Sequence, residues 1–196
     1  LQGNPIERHA KDDGRLAALA FKVVTDKHVG KLIYVRIYSG TLEAGSYVLN
    51  SSQGKKQRVG RLFKMHANRQ EQVEQLYCGE IGAVVGLADT ITGDTICCED
   101  EPIVLEAIDF PAPVISVAVH PESRGDSDKL QISLAKLAQE DPTFIVKVNP
   151  ETDDTVLSGM GELHLEILLD RLKREYNVRV TSGPPEVAYR ETITTM

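Results

Sequence analysis

The chain is poor in the features that mark most enzymes and membrane proteins. No apolar run approaches the ~20 residues a helix needs to cross a bilayer, which excludes a helical membrane span. No basic-then-apolar leader stands at the front. Cysteines number three (Cys78, Cys97, Cys98), two of them adjacent. Without a CxxC or Cys/His spacing they argue against a zinc site; they fit a reducing compartment and small buried apolar roles. There is no G-x-x-x-x-G-K-[ST] loop and no G-x-G-x-x-G between strand and helix, so nothing cradles a nucleotide's phosphates. The nearest phrase, Gly159-Met160-Gly161-Glu162, puts an acid where an anion would sit at a helix start, and reads as a strand-to-helix turn. Ser158 has no G-x-S-x-G elbow, so nucleophilic catalysis lacks its frame. The chain by itself reads as no enzyme, with no metal and no cofactor.

What is present suits two small cores. The 196 residues are 41% apolar, ordinary for a folded protein. The net charge of −7 argues against a DNA-coating role. Residues 1–104 carry 13 basic and 13 acidic side chains, while residues 105–196 carry 9 and 16, so the whole imbalance lies in the second half. Residues 1–15 are polar and read as a linker, and the start at Leu1 reads as a piece of something longer. From Leu16 come about seven short β-rich runs with Gly turns between them, including KLIYVRIYS, in which Ile33, Val35 and Ile37 share one face. Such spacing predicts an antiparallel β-barrel over 16–105. Pro111 and Pro113 break the pattern in a linker over 106–113. VISVAVHP then reads as a strand and KLQISLAKLAQED as a helix capped by Asp126-Ser127-Asp128. FIVKVN and DTVLSG read as strands joined by a turn at 150–153. GELHLEILLDRLKREY is a helix with Leu165, Leu168, Leu169, Leu172 and Tyr176 on one stripe, and NVRVTSG is a last strand. The order β-α-β-β-α-β over 114–183 predicts a ferredoxin-like sandwich, so the fold class is α+β with two domains.

Two features carry functional interest. Lys55, Lys56, Arg58, Arg61, Lys64 and Arg69 fall within an acid-free stretch, a candidate RNA-phosphate surface in a net-acidic protein. Phe63 is the one aromatic there, so base stacking has little support; a solvated strand face is the plain alternative. His164 lies off the leucine stripe of its helix with Leu168 at i+4, so it lacks a metal-ligating partner and reads as an exposed or interface histidine. His9, His28, His66 and His120 stand singly and read as structural.

The phrases SGMGELHLEI (158–167), DRLKREYNV and PPEVAYRETI resemble the third domain of elongation factor G and the lead-in to its fourth. ALAFKVVTD, VGKLIYVRIYSGTLEAGSYVLN, GRLFKMHANR, GEIGAVVGL and TGDTIC resemble its second domain, a translation-factor barrel, and FPAPVISVAVHP the junction. FPAPVISVAV and KMHANR favour the bacterial or organellar type over eukaryotic elongation factor 2. The resemblance implies a ribosomal translocase whose GTPase domain would precede residues 1–15 and whose fourth domain would follow from 184–196. GTP and Mg2+ would serve that parent. Small-subunit ribosomal RNA and proteins would be the partners, with no DNA and no membrane, in a monomer of the cytoplasm or mitochondrion. It also implies that Pro111, Pro113, Leu137, Asp141, Thr143, His164 and Leu168 line the third-domain side of a GTPase-facing, fusidic-acid-binding pocket. A paralogue for ribosome recycling or ribosome protection, and a stand-alone ligand-sensing module, are the alternatives.

Overall fold

Strand alternation organises the first half. In the computed structural model, which describes residues 6–26, 29–67, 69–150 and 152–186, β1 (Ala17–Asp26) pairs antiparallel with β2 (Gly30–Ser39). Ile33, Val35 and Ile37 are fully buried while Arg36 and Tyr38 are exposed, as the period of two requires. Then follow β3 (Leu42–Glu43), β4 (Tyr47–Asn50), β5 (Lys55–Arg58), β6 (Leu62–His66), β7 (Arg69–Val73), β8 (Gln75–Leu76), β9 (Ile81–Val84) and β10 (Thr95–Cys97). The main sheet runs β5-β4-β10-β1-β2-β9-β6-β7, and β3 pairs with β8. Ten strands stand among the described residues where about seven runs were expected. QRVGRLFKM and EQVEQLY each split into two strands, at residues 59–61 and at Glu74.

The first split closes the barrel. The Val59 N–H donates to the Ser46 carbonyl and the Gly45 N–H to the Val59 carbonyl, both at 2.9 Å. One residue later the Gly60 N–H donates to the Val85 carbonyl at 2.8 Å. The segment joining β5 to β6 thus binds the residues just before β4 on one side and the residue just after β9 on the other. Contact there is tight: a Cβ on Gly60 would lie 2.4 Å from the Val85 carbonyl oxygen, and one on Gly86 (φ +111°) 2.8 Å from the Gly60 nitrogen. Inside lie Leu16, Ala18, Val23, Ile33, Val35, Ile37, Leu62, Val84 and Ile96. Cys97 is buried, and Cys78 and Cys98 are half-buried with free thiols.

The chain divides into two compact units between Asp109 and Phe110. The second contains β11 (Ile115–Pro121), α1 (Arg124–Glu140), β12 (Ile145–Val148), β13 (Thr155–Gly159), α2 (Glu162–Glu175) and β14 (Val180–Gly183). Its sheet order β12-β13-β11-β14, antiparallel throughout, is that of the ferredoxin-like sandwich. Leu130, Leu134 and Leu137 from α1 and Leu165, Leu168 and Leu172 from α2 pack on Val119, Leu157 and Val178. Burying each leucine contributes about 1.5–3 kcal/mol. Helix α1 starts earlier than Asp126-Ser127-Asp128 suggested. Ser123 is extended (φ −141°), its Oγ accepts the Asp126 N–H, and Asp126 thus becomes a first-turn acid, not the cap. Leu169 and Tyr176 are only partly buried at the flank of the stripe. Among the described residues no helix is long and apolar enough to cross a membrane. His28, Glu151 of the β12–β13 turn, and residues 187–196 of the expected lead-in to a further domain lie outside the described residues.

Candidate functional site

The basic stretch on the barrel separates into two groups in space. Acids from distant parts of the chain meet its lysines: Lys55 pairs with Asp89 at 3.0 Å, Lys56 with Glu99 at 2.5 Å and Lys64 with Glu80 at 2.6 Å. The hydrogen bond to Glu99 raises the pKa of Lys56, and that to Glu80 raises the pKa of Lys64. Glu80 is held below its usual value by Lys64 and by the Tyr77 amide. The arginines differ. Arg58 makes only a long 3.4 Å bond to the Gly45 carbonyl, and Arg61 lies 5.7 Å from the centre of the Phe63 ring. Arg69 is exposed on β7. None of the three pairs with a carboxylate among the described residues, so they are the cations most available to a phosphate.

In the second unit, the candidate residues fall into two layers. Leu137 and Leu168 are core residues with under 4% exposure, so they back the site and do not face solvent. Above them sits a polar clasp between the loop after α1 and the start of α2. His164 Nε2 lies 2.8 Å from Asp141 Oδ2, and the Met160 N–H donates to His164 Nδ1 at 3.1 Å. Since Nδ1 accepts, the ring proton belongs on Nε2, which donates to Asp141. Asp141 Oδ1 accepts both the Thr143 N–H (2.8 Å) and its hydroxyl (2.6 Å). Burial pushes the Asp141 pKa up, but the Thr143 hydroxyl and amide and His164 together outweigh it, so the net shift is downward. The histidine that lacks a partner on its own helix has one 23 residues upstream in the chain.

The sequence also pointed past several participants. Gly161 caps α2 with no side-chain bond, and His164 reaches back to Met160 in its place. Gly159 leaves room for the ring, since a Cβ there would sit 3.0 Å from His164 Nδ1. The Val114 N–H donates to the Gly159 carbonyl at 2.9 Å, which brings half-buried Pro113 beside the turn, while Pro111 stays exposed. Around this rim Val114, Met160, Leu163 and Ile167 are exposed apolar residues. The signal was legible in GMGELHLEI, where Leu163 and Ile167 stand four apart off the buried stripe. Among the described residues no group of His, Cys, Asp and Glu is placed to hold a metal ion.

Comparison with known proteins assigns both units to translation factors. Residues 30–97 match the family model of elongation factor Tu domain 2, and residues 110–184 match that of elongation factor G domain III. The crystal structure of a Thermus thermophilus protein superposes with a TM-score of 0.76 at 31% identity, over 89% of this chain and 26% of that chain. The present chain therefore spans about a quarter of that protein's length. It carries an elongation factor Tu-type domain 2 followed by an elongation factor G-type domain III, both of them domains of translation elongation factors.

Proposed function

We propose that this chain is the second- and third-domain segment of a factor that promotes GTP-dependent translocation of tRNA and mRNA on the ribosome. The observation that carries the reading is the order of its two matched domains, a Tu-type domain 2 at 30–97 followed by a G-type domain III at 110–184. The barrel would dock on small-subunit ribosomal RNA through Arg58, Arg61 and Arg69. The ferredoxin-like unit would couple a GTPase domain to movement through the rim around Asp141, Thr143 and His164. The sequence carries no G-x-x-x-x-G-K-[ST] loop, and GTP would be the cofactor of a longer parent.

Ribosome binding by the parent factor tests this. Replacing Arg58, Arg61 and Arg69 with Ala should weaken binding and lower the log–log salt slope by somewhat under one unit per lost phosphate contact, by analogy with duplexes. Replacing Lys55, Lys56 and Lys64 should do less, because each already has a carboxylate partner. Equal effects of the two triple variants would remove the barrel assignment. A parent that splits ribosomal subunits without moving mRNA would be a recycling factor instead.

A further inference from the structure

The turn Gly159-Met160-Gly161 has a glycine on each side of Met160, and one side-chain hydrogen bond ties it to α2, from the Met160 N–H to His164 Nδ1. That bond exists only while Nδ1 carries no proton. The opposite ring nitrogen faces a carboxylate that accepts from a neutral imidazole and more strongly from a cationic one. The two contacts of His164 therefore respond in opposite ways to a proton. We propose that His164 is a proton-read latch: with Nδ1 bare it holds the turn against α2, and protonation of Nδ1 releases the turn while the Nε2–H bond to Asp141 persists.

The surroundings match such a device. The charged group that faces the ring from the loop after α1 is Asp141, fixed from behind by both polar groups of Thr143. From the β13 side come the neutral backbone groups of Gly159 and Met160. On α2 itself the neighbouring Glu162 and Glu166 are exposed. His164 is 23% exposed at its side chain, so protons reach it without unfolding. The released segment carries exposed Met160 and is hydrogen-bonded at Gly159 to exposed Val114, so the latch governs the shape of this apolar rim. This assignment rests on the chain's own geometry and does not depend on the ribosomal role proposed above.

The test uses the 196-residue chain and nuclear magnetic resonance. Long-range 1H–15N spectra report the tautomer and protonation of His164, and hydrogen exchange reports the protection of the Met160 amide, corrected for intrinsic rates. The expected result is an Nε2–H tautomer at neutral pH. As His164 gains its second proton, Met160 protection should fall about threefold to tenfold, the range of one net hydrogen bond. The Leu165 amide, bonded to the Gly161 carbonyl, should keep its protection. His164→Asn, whose Oδ1 replaces Nδ1, should hold Met160 without pH dependence, and His164→Gln should not. An Nδ1–H tautomer at neutral pH, or Met160 protection unchanged across the His164 titration, would overturn the proposal using the unmodified chain alone.

Discussion

Asp141→Ala is the most informative single substitution in the second unit. The carboxylate accepts the Thr143 N–H, the Thr143 hydroxyl and the His164 Nε2–H, all within 2.8 Å. Each net bond of this kind contributes about 1 kcal/mol or more, but the group is 30% exposed, so water replaces part of what is lost. We expect a loss of about 2 kcal/mol from the second unit at neutral pH. The pH dependence follows from the sign of the shift. The folded-state pKa lies below the unfolded value, so the stabilisation is complete above the unfolded pKa and disappears as pH falls through the folded one. The difference between wild type and Asp141→Ala should therefore narrow in acid. Because the two units need not unfold together, urea titration should be followed through amide signals of β13 and α2. A loss below about 0.5 kcal/mol at neutral pH, or one undiminished in acid, would refute the assignment of Asp141 as the anchor of the clasp.

Three further outcomes follow from the geometry. Gly60→Ala should destabilise the barrel by about 1–3 kcal/mol, because the new methyl group meets the Val85 carbonyl and the seam must open; a thermal melt of the barrel signals checks this. Leu172→Ala, at a fully buried site, should cost about 2–5 kcal/mol in the second unit. Leu169→Ala, at a half-buried flank, should cost clearly less, and equal losses in urea melts would contradict the packing described. Calorimetry with GTP at micromolar protein should show no saturable binding to this chain, whose sequence carries neither a G-x-x-x-x-G-K-[ST] loop nor a G-x-G-x-x-G turn.

Much of the architecture was legible because it depends on local periodicity. The alternation in KLIYVRIYS places Ile33, Val35 and Ile37 in the barrel, and the leucine spacing of both helices places Leu130, Leu134, Leu165 and Leu168 in the second core. What was not legible depends on segments far apart in the chain. QRVGRLFKM keeps its β pattern straight through Gly60, and only the approach of Val85 and Gly86 shows why the strand must break there. The basic stretch is free of acids only along the sequence. In space Asp89, Glu99 and Glu80 meet its three lysines, leaving the arginines open. The partner of His164 is of the same kind, since a search of its own helix could not find Asp141.

The segment GELHLEI brings these levels together. Its Leu165 and Leu168 are nearly inaccessible, which already supplies the apolar stripe the sandwich needs. Leu163 and Ile167 are then surplus to the core, at 69% and 50% exposure. A helix that stabilised only its own domain would carry polar residues there, since exposed apolar side chains in a row lower solubility without adding to the core. Apolar residues on both faces, and a histidine that ties the helix start to a glycine-flanked turn, set this helix apart from one that carries a single buried stripe.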